Sequence, residues 1–386
     1  MSMLYLDNAA TTPVRPEVLE AMMPYLTRWY GNASSHHTVG EAAADALADA
    51  RARVARVLGL RAGDVVFTSG GTEANNLAIK GIAIAAAQRR DDRRAHVVTT
   101  PIEHESVLES VDYLERVHGV TATRVPVDDH ARVSTDAVAE SLRDDTVLVS
   151  IGYANNEVGT VQDAAGLAAV ARERRVPLHL DGVQAAGWLT LSADELGYDA
   201  ISLAGHKLGA PKGTGALGVR GRIPLEPLMH GGGQERGRRS GTEDVAGAVG
   251  FATALELAEA EWVEASARVS AIRDRFIARV LQRIPSARLT GDPVHRLAGT
   301  ASFTFAGTSG EAVLLELERR GVVSSSGSAC AAGSDEPSHV LLAMGIAPEV
   351  AQTAVRFTFP RWLNAPLDAV ADAVEASVAA VSGSPH

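Results

Sequence analysis

Short apolar runs alternate with helical patterns from about residue 17 to residue 260 of this chain. That order is the signature of βα units wound around a mostly parallel sheet. Seven runs read as strands, at 65–68, 96–99, 122–125, 147–151, 178–181, 200–203 and 215–219. Residues 41–58, rich in Ala and Arg, read as a long helix that Gly59 ends. Residues 246–284 read as a second long helical stretch, whole or broken, leading out of a large domain into a smaller one. No internal repeat or long low-complexity linker interrupts the pattern, and only residues 382–386 have the composition of a disordered tail. The expected fold class is α/β.

Composition narrows the function. With 46% hydrophobic and only 4% aromatic residues, 386 residues suffice for two cores filled mainly by Ala, Val, Leu and Ile. A net charge of −11 argues against direct nucleic-acid binding, which clustered cations drive. The mixed run Arg89-Arg90-Asp91-Asp92-Arg93-Arg94 reads as a solvated helix end or loop. No basic segment followed by a long apolar stretch opens the chain, and the apolar run 82–87 is far too short to cross a bilayer. A soluble, cytoplasmic protein with no membrane partner is the expectation.

Asp181 closes one apolar run and Lys207 follows another, so both fall at the carboxyl edge, where parallel sheets place their sites. An acid and an amine meeting there suit pyridoxal phosphate: the lysine forms a Schiff base and the aspartate keeps the pyridine nitrogen protonated. Taken alone, either residue would be read as an ordinary exposed charge. Around them, Val65-Val66-Phe67-Thr68-Ser69-Gly70-Gly71-Thr72-Glu73-Ala74-Asn75-Asn76 reads as a strand, a glycine turn and a helix start that offers backbone N–H groups to a phosphate. Thr99-Thr100-Pro101-Ile102-Glu103-His104-Glu105-Ser106, Tyr153-Ala154-Asn155-Asn156-Glu157-Val158-Gly159 and His230-Gly231-Gly232-Gly233-Gln234-Glu235-Arg236-Gly237-Arg238-Arg239-Ser240-Gly241-Thr242 follow, each at an expected element end.

With Ser325-Ser326-Gly327-Ser328-Ala329-Cys330, these segments resemble the cysteine desulfurases of the NifS/IscS type, class V aminotransferases of pyridoxal-phosphate fold type I. The likeness runs from Tyr5-Leu6-Asp7-Asn8-Ala9-Ala10-Thr11-Thr12-Pro13 to Val355-Arg356-Phe357. It implies a large cofactor-binding domain over residues 15–258, with a mostly parallel seven-stranded sheet. Residues 1–14 and 259–386 would form a smaller α+β domain. The implied reaction converts L-cysteine to L-alanine and passes sulfur to a cysteine persulfide. That sulfur would supply iron–sulfur clusters, thiolated tRNA or thio-cofactors through acceptor proteins, an iron–sulfur scaffold or a tRNA-thiolation enzyme among them. A homodimer is implied as well.

The same resemblance assigns roles residue by residue. Lys207 would carry the cofactor and then remove the Cα proton, while Asp181 would pair with the pyridinium. Gln184 would donate to the phenolic oxygen; Asp181 and Gln184 also read as an N-cap with a reciprocal Gln. Gly71, Thr72, His206 and, from the partner subunit, Thr242 would cradle the phosphate. Ala204 stands where many members have Ser, so one phosphate-binding hydroxyl is missing. His104 would stack on the ring and shuttle protons to or from sulfur, and Asn155 would touch the phenolic oxygen or the substrate carboxylate. Arg356 would clamp that carboxylate, the competing reading being an ordinary strand ion pair.

Cys330 is the only cysteine, so no disulfide within the chain is possible. By default a lone Cys is a small buried hydrophobe. Residues 324–334 are almost all Ser, Gly and Ala, the composition of a mobile loop able to carry a thiol from cofactor to acceptor. Two other readings stay open: another class V activity, such as selenocysteine lyase or aminotransferase, and a scaffold that kept the fold and lost the chemistry.

Overall fold

The computed structural model describes residues 3–327 and 336–382. After β1 (Leu4–Tyr5) come two helices, Pro16–Thr27 and Thr38–Leu58. Seven strands then alternate with helices: β2 (Val65–Thr68), β3 (His96–Thr99), β4 (Thr121–Arg124), β5 (Thr146–Gly152), β6 (Leu178–Asp181), β7 (Ala200–Ala204) and β8 (Gly215–Val219). They form one sheet in the order β2-β8-β7-β6-β5-β3-β4. All pairs are parallel except those of β8, which runs antiparallel to β2 and β7.

The apolar runs are nearly continuous because both faces of this sheet are covered. Successive side chains point to opposite faces, so neighbours enter different cores. Val65, Val149 and Ile201 join the core under helices Thr38–Leu58 and Ala164–Glu173. Val66, Leu148 and Ala200 join the one under Gly71–Gln88 and Glu105–His118.

The remainder builds a second unit from β9 (Ala287–Leu289), β10 (Thr300–Phe305), β11 (Val322–Val323) and β12 (Val355–Thr358). Strands β12, β10 and β9 form an antiparallel sheet, while β11 pairs in parallel with β1 and so ties the start of the chain to this unit. Its core is filled mainly by Ala, Val, Leu and Ile, as expected, and also gathers five of the seven phenylalanines. Phe276 stands edge-on to Phe303, Phe357 and Phe359 at centroid distances of 6.0, 5.3 and 5.7 Å, an arrangement that ring quadrupoles favour.

One unbroken 39-residue helix, Val245–Arg283, links the two units. It contains no Pro, and its last Gly is Gly250, so nothing in its second half interrupts the backbone ladder. Ala258 is its last residue in the large core and Val269 its first in the small one. The final helix runs to Ser382, so of the tail expected from residue 382 only 383–386 remain, outside the described residues. Among the described residues, no helix is long and apolar enough to cross a membrane.

Candidate active site

Asp181 is the last residue of β6, and β7 runs directly into the 3-10 turn Gly205–Lys207. The two strands are parallel neighbours, with Asp181 opposite Ser202, so carboxylate and amine leave the sheet at one edge. Above that edge lies a cavity of about 820 Å³, within the usual range for small-molecule sites. Gly71, Thr72, His104, Asn155, Asp181, Gln184, His206, Lys207 and Arg356 all line it. Thr242 does not, and is exposed on its own loop. Cys330 lies outside the described residues.

The N-terminal segment straps the cavity. Lys207 Nζ donates to the carbonyl of Ala9 and, at 2.7 Å, to that of Ala10. Gln184 Nε2 donates to Ala9 O at 3.1 Å. Thr12 donates to His206 O through its backbone N–H at 2.9 Å and its hydroxyl at 2.8 Å. His206 Nδ1 lies 3.2 Å from Thr11 Oγ1. Burial, with the Lys207 and Lys212 charges adding, pushes the His206 imidazole down to about 4.

Around Asp181, the Asn75 amide nitrogen donates to Oδ2 at 2.7 Å and the Val183 N–H to Oδ1 at 3.0 Å. The aspartate therefore does organise the turn after β6, as a cap would. Gln184 does not reciprocate, because its amide reaches across to Ala9, so no capping box forms. Behind it, Glu103 accepts from the Thr100 hydroxyl at 2.6 Å and the Gly152 N–H at 2.7 Å. Burial, reinforced by the nearby Asp181 charge, pushes the Glu103 carboxyl up to about 8.

At the other end, helix Gly71–Gln88 starts after Gly70, whose φ of 150° suits glycine and whose side-chain absence leaves the first N–H groups uncapped. Such a start attracts anions. Gly71 has no room for a larger residue: a Cβ there would lie 2.7 Å from Val183 Cγ2 and 3.3 Å from Ala204 Cβ. Ala204 is buried beneath this turn, on the cavity wall.

His104 is the N-cap of helix Glu105–His118, its Nδ1 accepting the Ser106 N–H at 3.0 Å. Asn155 spends its amide on the loop: Nδ2 donates to Ile102 O at 3.0 Å, and Oδ1 accepts the Glu157 and Val158 N–H groups at 2.9 Å each. Arg356, on β12 and fully buried, does make an ion pair, with Asp7 Oδ1 at 2.7 Å. Its Nη1 donates to Asn156 O at 2.9 Å and Gly327 O at 3.2 Å, while its buried Nε has no partner among the described residues. The buried Glu157 accepts from the Ser338 hydroxyl at 2.5 Å, and burial raises its pKa.

Asn75, Ser106, Glu103, Glu157 and the strap from Asp7 to Thr12 lie within the segments that carry the resemblance but were assigned no role from sequence. One signal was available for the strap: an aperiodic run of small and polar residues before Pro13 suits an extended segment laid over a site.

A carboxylate and an amine on adjacent strand ends, facing an anion-binding helix start, define a cofactor-dependent enzyme of the α/β type. The chain belongs to the aminotransferase class-V family, whose model matches residues 4–363. It is 46% identical to an IscS-like cysteine desulfurase of Mycobacterium tuberculosis, over 98% of this chain and 96% of that one. Among solved structures, a NifS-like protein superposes with a TM-score of 0.87 at 34% identity, covering 97% of this chain and 98% of the other. SspA in complex with cysteine does so with a TM-score of 0.81 at 35% identity, covering 93% and 99%.

Proposed function

We propose that this protein is a pyridoxal-phosphate-dependent cysteine desulfurase that turns L-cysteine into L-alanine and hands the sulfur to Cys330. The observation that carries this reading is the meeting of Lys207, Asp181, His104 and Arg356 in one cavity. Relatives that carry the name cysteine desulfurase, matched over 93% and 98% of this chain, support it.

The residues present fit the cofactor. The uncapped start of helix Gly71–Gln88, with Thr72 and His206, would hold its phosphate. Asp181, steadied by Asn75 and Val183, would face the pyridine nitrogen, and Gln184 or Asn155 the phenolic oxygen. Bound here, pyridoxal phosphate supplies an electron sink for a carbanion at the amino-acid Cα. Lys207 would be the covalent anchor, and afterwards the base that takes the Cα proton on Nζ. His104 would hold or release a proton at the substrate sulfur. Arg356 would bind the substrate carboxylate, for which Nε and an exchange with Asp7 are the available routes. The Cys330 thiolate would then take the sulfur as a persulfide while L-alanine leaves.

The remaining proposals follow from this one. The domain division at residues 258/259 rests on the change of core along helix Val245–Arg283. A homodimer accounts for Thr242, exposed in its own subunit and available to a partner's phosphate site. Acceptor proteins, an iron–sulfur scaffold or a tRNA-thiolation enzyme, would receive the persulfide. The cytoplasm suits a chemistry that needs its single thiol reduced.

The test is formation of alanine and sulfide from L-cysteine. Lys207→Ala should abolish both. Cys330→Ser should still bind L-cysteine but release neither product at a useful rate, because a hydroxyl forms no persulfide. After one cysteine pulse, mass spectrometry of the wild type should find one reductant-labile sulfur on the Cys330 peptide. Undiminished turnover by the serine variant would move the protein to a lyase or aminotransferase reading.

A further inference from the structure

Asn75, so far only a donor to Asp181, and Ser106, so far only a capped N–H, together join Asp181 to His104. Asn75 is 1% exposed on helix Gly71–Gln88, and Ser106 is 7% exposed at the start of helix Glu105–His118. The Asn75 amide nitrogen donates to Asp181 Oδ2 at 2.7 Å and to Ser106 Oγ at 2.9 Å. An ionised carboxylate only accepts, so the Asp181 contact fixes which way the amide is turned. Both amide hydrogens are then in use.

Ser106 approaches His104 twice. Its backbone N–H donates to His104 Nδ1 at 3.0 Å, and its Oγ lies 2.8 Å from the same nitrogen. A ring nitrogen that receives a backbone N–H is an acceptor, so the proton of the neutral imidazole sits on Nε2. The Ser106 oxygen already accepts from Asn75, and its own hydrogen is left to turn toward Nδ1. A directed chain results, from Asn75 through the Ser106 hydroxyl to His104, with Asp181 setting its origin.

Stability alone does not account for the amide. Asn75 Oδ1 is buried and has no partner among the described residues, an arrangement that weakens a fold. With Oδ1 unpartnered, what the amide contributes is made by its nitrogen, which holds Asp181 and Ser106.

We propose that Asn75 and Ser106 are positioning residues that hold His104 with its ring proton on Nε2 and set the ring's orientation from the Asp181 carboxylate. The edge of the imidazole turned away from its helix then presents an N–H donor to the cavity contents. The consequence for turnover rests on the desulfurase reading of His104; the tautomer does not. A helix cap alone would need only the Ser106 N–H and would be indifferent to Asn75.

Two-bond proton–nitrogen correlation spectra of histidine-labelled enzyme as isolated, with His104 assigned by its loss in His104→Gln, test this directly. The wild type should show the Nε2–H pattern. Ser106→Ala should shift the Nδ1 resonance, and Asn75→Leu should shift it too although Asn75 does not touch the ring. Ser106→Thr, which keeps the hydroxyl, should restore it. In turnover, Ser106→Ala and Asn75→Leu should lower kcat about tenfold and leave KM for L-cysteine within about threefold, the mark of misplaced chemistry rather than lost binding. An Nδ1–H pattern in the wild type, or an unmoved His104 signal in folded Asn75→Leu, overturns the proposal. Wild type that makes no alanine would sink the desulfurase reading and leave the spectra to decide the relay on their own.

Discussion

Glu103 is a carboxyl with both oxygens accepting hydrogen bonds and, among the described residues, no cation paired with it, buried next to Asp181. Desolvation penalises its charged form, so its pKa rises from 4.5 to about 8 in the folded protein. Between those values the folded state holds a proton that the unfolded state releases. Stability is therefore present below about 4.5 and is lost as pH rises through that window toward 8. Glu103→Gln keeps the shape and removes the titration. Its melting temperature relative to wild type should climb steadily from pH 5 to pH 8.5, read by thermal denaturation at several pH values. A difference that stays constant across the range would mean that Glu103 is ionised in the native protein.

At the scale of elements, the loop over residues 230–242 is anchored to the sheet by a buried ion pair. Arg51 and Glu235 form a two-pronged pair at 2.6 and 2.7 Å, 7% and 3% exposed at their side chains, and Glu235 also accepts the Phe67 N–H at 3.0 Å. Glu235 and Arg236 are held at φ of 50° and 60°, a region non-glycine residues avoid, so the pair keeps the loop in a shape it would otherwise leave. Glu235→Ala strands the Arg51 charge in the interior and should cost about 3–5 kcal/mol, measured by urea denaturation. A loss under about 1 kcal/mol would show that water reaches Arg51 once the carboxylate is gone. Nothing in the sequence announces this pair, since its members are 184 residues apart. Asn75 and Asp181 are 106 apart and equally silent. The seven strands of the large sheet were legible to within a residue because most of them, the exposed edge strand β4 apart, are runs of side chains alternating between two cores, a local and periodic signal. Asp181 and Lys207 were legible because they end such runs. The strap, the Asn75 bridge and the phenylalanine-rich small core depend on which distant segments meet, and no local period encodes that.

For the whole molecule, helix Pro16–Thr27 carries more apolar surface than one chain covers. Val18 and Met22 of helix Pro16–Thr27 are buried, but beside them Leu19, Met23 and Leu26 are 51%, 45% and 55% exposed. Trp29 and Tyr30, just past the helix, extend the patch at 40% and 74%. Leu19, Met23 and Leu26 recur at helical spacing, so they form one stripe, and a contiguous apolar stripe of this kind is characteristic of an interaction surface. A second copy of the chain, the homodimer proposed above, would cover this stripe and also account for Thr242, which lies outside its own cavity. Wild-type protein should therefore sediment as a dimer. Leu19→Glu combined with Met23→Glu places two charges in the contact and should yield a folded monomer by sedimentation velocity and circular dichroism. Because that monomer lacks the partner's Thr242, it should also bind pyridoxal phosphate about ten- to a hundredfold more weakly, the loss of a single hydrogen bond to a charged group being worth about 1.5–3 kcal/mol. A monomer that retains full cofactor affinity would place the phosphate contacts within one chain; a double variant that stays dimeric would move the interface to another face.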